Sequence, residues 1–317
     1  MSYNDAVSDT RIQAAFLDLL KRTAPTSREI KALARQARDP GYWASLNPGR
    51  RHAPRHAALP ASAYSHAVET MNDEGYFYVD SAFTAPAMRQ MRTTIDRVRT
   101  AGWPAIFATV YEEFWSILRT PPVTRLLKGM MGPEYRLIPH LWCHYVAATP
   151  GAHGWSPHVD GVEKTRASIW IPFTDATLDN GCIYLIPESR LPAESAQQFR
   201  RKKRYTADET CNWLQGMKAL PAPAGSILGW NFGIVHWGSV VGQGPNPRIS
   251  AAYEFIATDA TPTDSEQPLF DIQKGIPSFA QRLQMIVMAL RAYRKFEPQM
   301  ARFYNVAEEL SSSTWPE

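Results

Sequence analysis

The sequence predicts an α+β protein, with a sandwich or barrel of short strands at its centre and helices before and after it. Three observations carry this reading. Apolar residues recur at helical spacing through the first 132 residues, short aromatic and β-branched runs broken by Pro, Gly and Asn then extend to 256, and a helical stripe returns near the C-terminus. With 317 residues, 44% of them hydrophobic, the chain can bury one large core. It reads as a single domain made of a mainly helical part over 1–132, a strand-rich core over 133–260 and a helical extension over 261–317.

Ile12, Ala15, Phe16, Leu19 and Leu20 open a helical pattern over 11–38, and Ser27 with Glu29 and Ile30 behind it marks a second helix start. The run over 47–60 is rich in Pro, His and Arg without periodicity and reads as a surface connection with solvated histidines. A strand over 75–79 follows, then helices over 85–100 and 110–131, the latter interrupted at Pro121 and Pro122. Strands are expected over 135–146, 167–173, 182–186, 226–230, 236–241 and 249–256. Between Pro187 and Pro221 a polar excursion carries the basic run Arg200, Arg201, Lys202, Lys203 and Arg204, which reads as a solvated face or as a cover over a site. A last helix over 277–304 aligns Phe279, Leu283, Ile286, Val287, Leu290 and Tyr293 on one stripe that would pack on the sheet.

Charge and cysteine content exclude several classes. A net charge of +4 falls short of the dense basic stripe of a nucleic-acid binder. Cys143, Cys182 and Cys211 are an odd set without CxxC spacing, which argues against a disulfide framework or a thiolate zinc site. The first residues lack a signal-peptide pattern and no apolar run approaches the roughly 20 residues of a membrane span, so the expected location is the cytoplasm.

His158 and Asp160 are two apart, so on an extended segment both side chains project from one face and can touch one ion. Alone, such a pair is a weak signal and is more often a surface hydrogen-bonded pair. His236, in the strand-like IVHWGSV, completes two imidazoles and one carboxylate, the facial set of non-haem Fe(II) oxygenases, which leaves adjacent positions open for reactants. Arg248, twelve positions later on the next strand, has the planar fork that pairs two-pronged with a carboxylate. Ser250 shares its strand face and could donate to the same carboxylate. Without the triad these two would read as a surface ion pair and an inert strand residue.

The segments SPHVDG, ASIWIPFTDATLDNGCIYLIPESR, AGSILGWNFGIVHWGS and PRISAAYEF, in this order over His158 to Ile256, resemble the phytanoyl-CoA dioxygenase family. The resemblance implies a double-stranded β-helix, the jelly-roll or cupin-like core, with N-terminal helices and a C-terminal helix packed around it. It implies a dioxygenase using Fe(II), with 2-oxoglutarate and O2 as co-substrates, that hydroxylates an unactivated C–H bond and releases succinate and CO2. It further implies that Trp170 lies beside 2-oxoglutarate, an alternative to its reading as a core aromatic. The carboxylate of Asp160, where related halogenases have a small residue, argues for hydroxylation, with desaturation or ring formation still open. One departure stands out: YVAATPG lacks the lysine that many relatives carry ahead of the Pro-Gly turn. Glu188 and Arg190 also stand where glycine and histidine are common.

His140, Trp142 and His144 alternate along one strand and would line a cavity beside the metal, or else serve as hydrogen-bonded core residues. Trp230, Asn231 and Trp237 flank His236 and are open to either reading. Aromatics near the cavity and abundant cationic residues would suit a small polar or anionic metabolite, including a natural-product intermediate. The expected partner is that small molecule, not nucleic acid or membrane. Two rivals remain: a cupin-type metal enzyme independent of 2-oxoglutarate, against which Arg248 stands, and a non-catalytic binding or regulatory protein, against which the intact set of four stands.

Overall fold

The computed structural model describes residues 26–48, 53–191, 206–294 and 300–312. The helical pattern opened by Ile12 therefore lies outside the described residues. Helix α1 (Ser27–Ala37) is capped by Thr26, one residue before the expected start. Its hydroxyl accepts from the Glu29 amide while the Glu29 carboxylate accepts from the Thr26 amide. Helices α2 (Pro40–Leu46) and α3 (Ala61–Glu74) have no counterpart in the sequence reading. The first spans seven residues, and the second buries only Ala67 and Met71, so no apolar stripe announces either.

Strand β1 (Tyr76–Val79) and helix α4 (Ala85–Thr100) lie where the pattern puts them. Short 3-10 turns at Ala105–Val110 and Ile117–Arg119 then flank a single helical turn, α5 (Glu113–Ser116). Helix α6 (Pro121–Met131) begins at the two prolines instead of being interrupted by them. A first-turn N–H has no helical partner to lose, and proline's fixed φ suits that position.

The remaining strands are β2 (Arg136–Val146), β3 (Arg166–Pro172), β4 (Ile183–Leu185), β5 (Lys218–Leu220), β6 (Ile227–Asn231), β7 (His236–Gly238) and β8 (Arg248–Ile256). Helix α7 (Ala207–Gly216), with a Thr206–Glu209 capping box, interrupts the polar excursion, and the basic run 200–204 lies outside the described residues. The expected last helix is two, α8 (Phe279–Ala292) and α9 (Ala301–Ser311), which pack on each other.

The strands form two antiparallel sheets, ordered β1-β6-β3-β8-β2 and β5-β4-β7. From β5 onward the chain alternates between the sheets, which is the winding of a jelly roll. Along β8 the side chains of Ile249, Ala251, Tyr253 and Phe255 join the main core against the helices. The alternate residues Arg248, Ser250, Ala252 and Glu254 therefore face the smaller sheet. Trp170, Leu228 and Trp230 meet Ile183, Leu185 and Leu220 in a second apolar cluster between the sheets. Helix α8 lies on β2 and closes one side of the barrel.

The β2–β8 ladder shifts register between Leu137 and Leu141, around Pro139, whose ring nitrogen has no hydrogen to donate. Beyond the shift, Trp142 pairs with Ala252 and His144 with Ser250. All three cysteines are free thiols, two of them buried. No helix among the described residues is long and apolar enough to cross a membrane. The fold is thus a double-stranded β-helix with helices packed around it.

Candidate metal centre

His158 and His236 are joined by two backbone hydrogen bonds, from His158 N to His236 O at 3.1 Å and from His236 N to His158 O at 2.9 Å. This single bridge locks the HxD segment to β7 and holds the two imidazoles with ring centroids 4.2 Å apart. Each ring lies with Nδ1 against a carbonyl two residues earlier, His158 against Ser156 O at 2.8 Å and His236 against Ile234 O at 3.0 Å. A carbonyl only accepts, so Nδ1 carries the hydrogen and Nε2 offers its lone pair.

Asp160 supplies the third group. Its Oδ2 accepts from Ser168 Oγ at 2.6 Å and from Trp230 Nε1 at 3.0 Å, which leaves Oδ1 3.7 Å from both Nε2 atoms. One ligand atom from each residue lies within 4.8 Å of the others, a spacing that suits a single metal ion. Burial pushes the Asp160 carboxyl up, but His236, His158 and the hydrogen bonds from Ser168 and Trp230 outweigh it and leave it below its ordinary range. Burial pushes His236 down to about 4, against the pull of nearby Asp160 and with the help of His158. At neutral pH the centre therefore holds a carboxylate and a neutral imidazole, the forms a metal needs.

The cavity beside the centre is bordered by His140, Trp142, His144, Trp170, Trp230 and Arg248, among others. The three alternating residues of β2 thus line it together. His144 is held well below its ordinary value, first by burial and then by Arg248, His158 and His236, so it stands as a neutral imidazole. Arg248 is 1% exposed and lies 5.7 Å from the Trp170 ring centroid. Trp170 Nε1 and Ser250 Oγ are buried and have no hydrogen-bond partner among the described residues. Ser250 shares the strand face of Arg248 but does not border the cavity itself. Thr174 fixes the start of β8, its hydroxyl donating to Pro247 O at 2.8 Å and accepting from Ile249 N at 2.9 Å.

One expectation needs correcting. Asn231 does not border the cavity. Because Trp230 faces the centre, its neighbour on the strand faces away, and its side chain accepts from Gly233 N at 2.9 Å in the following turn. Trp237 stacks on Tyr184 at 5.6 Å and is a packing residue. Glu188, at the position flagged as unusual, pairs with Lys164.

The sequence reading missed several residues. Gly154 and Gly238 enclose the Arg248 guanidinium: a Cβ on either would come within 2.6 or 2.8 Å of Arg248 Nη2. Ser168 and Glu254 could have been found, since each alternates with a named residue on its strand, Trp170 and Arg248. Trp155 and Tyr293 have ring centroids 4.6 Å apart in the cavity wall; Trp155 carries no local signal, and Tyr293 was legible only as the end of the packing stripe of the last helix.

A search of curated protein sequences finds no significant match. Among solved structures, the nickel complex of the non-heme monooxygenase ThoJ shares 18% identity over 74% of this chain and 99% of that one, with a TM-score of 0.52. The non-heme alpha ketoglutarate dependent epimerase SnoN shares 15% over 62% and 84%, TM-score 0.49. EctD from S. alaskensis, crystallised with 2-oxoglutarate and 5-hydroxyectoine, shares 14% over 65% and 83%, TM-score 0.45. At 18% identity the likeness to ThoJ is one of fold. The sequence profile of the phytanoyl-CoA dioxygenase (PhyH) family matches residues 68–240, more than half of the chain, and this match spans the HxD pair and His236. The chain belongs to the phytanoyl-CoA dioxygenase family of Fe(II)- and 2-oxoglutarate-dependent oxygenases.

Proposed function

We propose that the chain is a dioxygenase that hydroxylates an unactivated C–H bond of a small-molecule metabolite or natural-product intermediate. The observation that carries this is the convergence of His158 Nε2, Asp160 Oδ1 and His236 Nε2 beside a cavity that also holds Arg248. The donor set fits Fe(II): two imidazoles with Nδ1 already engaged, and one carboxylate oxygen left over after the other is satisfied. The buried Trp170 Nε1, which has no hydrogen-bond partner among the described residues, suits the polar co-substrate 2-oxoglutarate on the Arg248 side.

Bound iron, with 2-oxoglutarate and O2, supplies the oxidising power that replaces C–H by C–OH while 2-oxoglutarate leaves as succinate and CO2. The chain's own part is positional. Arg248 pairs with the far carboxylate of the keto acid through its planar fork, and Gly154 and Gly238 keep that fork in place. Trp170, Trp230 and the second apolar cluster exclude water from the centre. Asp160 would supply the third protein donor to the iron, at the position where related halogenases have a small residue.

Anaerobic titration of metal-free protein with Fe(II) and 2-oxoglutarate tests the assignment. A weak visible charge-transfer band is expected, and in Arg248→Ala it should require about tenfold or more 2-oxoglutarate, on the scale of a lost charge-assisted contact. Fe(II) binding without any band would overturn the reading in favour of a metal enzyme that does not use 2-oxoglutarate. Product analysis after aerobic turnover then separates hydroxylation from desaturation or cyclisation.

A further inference from the structure

Outward of the metal centre the cavity opens into a chamber of about 450 Å³ that shares His140, Trp155, His158, Asp160, Glu254 and Tyr293 with the inner pocket. The two ends differ in charge. Arg248 stands at the inner end, whereas no lysine or arginine among the described residues borders the outer chamber. Its wall instead carries Glu163, Glu254 and Glu266 beside the ligand Asp160. Arg166 neutralises Glu266 from behind through two hydrogen bonds, and a bound metal would offset Asp160. His140 in turn pairs with Glu254, so the negative balance of the chamber rests on Glu163, opposite to the cationic surroundings expected from composition.

Glu254 is the member of this wall built into the barrel. It sits on β8, six residues past Arg248 and on the same strand face, with its side chain 13% exposed. Oε1 accepts from Tyr293 Oη at 3.2 Å and Oε2 meets His140 Nδ1 at 3.0 Å, while His140 Nε2 donates to Ser265 O at 3.0 Å. That uses two of the roughly four acceptor sites of a carboxylate. Burial raises the Glu254 carboxyl above its ordinary value against the pull of His140, while burial lowers His140 but Glu254 outweighs it; a further cation would add to the stabilisation that His140 gives the charged carboxylate. Burial, then Glu254, holds Tyr293 well above its ordinary value, and it remains a donor. Trp155 and Tyr293, 4.6 Å apart, supply electron-rich faces beside the carboxylate, the surroundings an ammonium prefers.

We propose that the outer chamber recognises a substrate bearing a cationic amine, with Glu254 as its anchoring carboxylate and Trp155 and Tyr293 as its aromatic wall. This rests on the oxygenase reading for the identity of the inner end, and it assigns the two ends to opposite charges: a dicarboxylate at Arg248 and an ammonium at Glu254. Bulky anionic substrates such as acyl-CoA compounds would meet repulsion along the whole outer wall.

The test is binding, independent of turnover. Three probes of one shape, phenethylamine, 2-phenylethanol and 3-phenylpropanoate, are titrated into protein holding Fe(II) and 2-oxoglutarate without oxygen, with tryptophan fluorescence as the readout. The amine should bind best and the carboxylate worst, and Glu254→Gln should weaken the amine by about tenfold or more while leaving the alcohol nearly unchanged. A preference for the carboxylate in the wild-type protein, which needs no variant, would overturn the proposal, as would amine binding indifferent to Glu254→Gln. The charge-transfer band on the same samples keeps the two readings apart. Its absence removes the oxygenase assignment, whereas an intact band with a carboxylate-preferring chamber removes only the cation site.

Discussion

Two backbone carbonyls decide which nitrogen His158 and His236 each offer. Ser156 O and Ile234 O take the Nδ1 hydrogens, so Nε2 of both rings points to the same place with its lone pair bare. His236→Ala removes one of three donors while the bridge to His158, made by backbone atoms, survives. The expected result is a folded protein with an unchanged far-UV spectrum and no measurable Fe(II) titration; retained metal-dependent turnover would refute the ligand set. Gly238 acts at one remove. A Cβ there would lie 2.8 Å from Arg248 Nη2 and 3.0 Å from Gly154 Cα, so the guanidinium must move. Gly238→Ala should raise the KM for 2-oxoglutarate about tenfold or more with a smaller change in kcat, since misplacing a binding group by a fraction of an ångström is costly. Gly275→Ala, where an added Cβ meets nothing within 4 Å, is the control and should leave both constants alone.

At the scale of elements, legibility followed period and cost. Helix α4 was readable because its buried residues, Met88, Met91, Ile95 and Val98, recur at helical spacing after a proline-initiated turn. Strand β8 was readable as an apolar alternation, and its hidden face gave up Arg248 and Ser250. Glu254 shares that face and was within reach of the same alternation, although its residue type alone does not distinguish a cavity carboxylate from a solvated one. Strand β5 is three residues long with an exposed lysine, and helix α3 buries two residues, so neither leaves a pattern to read. Trp155 and Tyr293 meet only because α8 folds back over β2, a contact between residues 138 positions apart. The cap of α8 ties local chemistry to this wall: Ser278 Oγ accepts from Gln281 N at 3.3 Å, and Gln281 Oε1 accepts from Ser278 N at 2.8 Å. Ser278→Ala should cost about 1 kcal/mol in urea unfolding with an unchanged denaturant slope. A shift in midpoint of either sign accompanied by a changed slope would mean that α8 does not unfold with the barrel.

For the whole molecule, the jelly roll is tied to the segment that follows it by a buried ion pair between Arg166 at the start of β3 and Glu266. Both are about 5% exposed; Arg166 Nε and Nη2 donate to the two carboxylate oxygens, and Nη2 also donates to Thr261 O at 2.8 Å. Burial pushes the Glu266 carboxyl up, yet the Arg166 hydrogen bonds, the Thr263 amide and the Arg166 charge together leave it below its ordinary value. A carboxyl lowered in the folded state binds its proton less readily there than in the unfolded chain. Its stabilisation is therefore fully present above the ordinary carboxylate range and is lost as pH falls through that range toward the folded value. Asp160, lowered for its own reasons, steepens the same acid limb. Glu266→Gln leaves Arg166 buried without its counter-charge and should cost about 3–5 kcal/mol at neutral pH. It should also flatten the loss of stability between neutral and acid pH, because one of the protons taken up on unfolding is gone. Urea midpoints at several pH values distinguish this from simple loss of packing, which would lower the whole curve by the same amount and leave its acid slope unchanged.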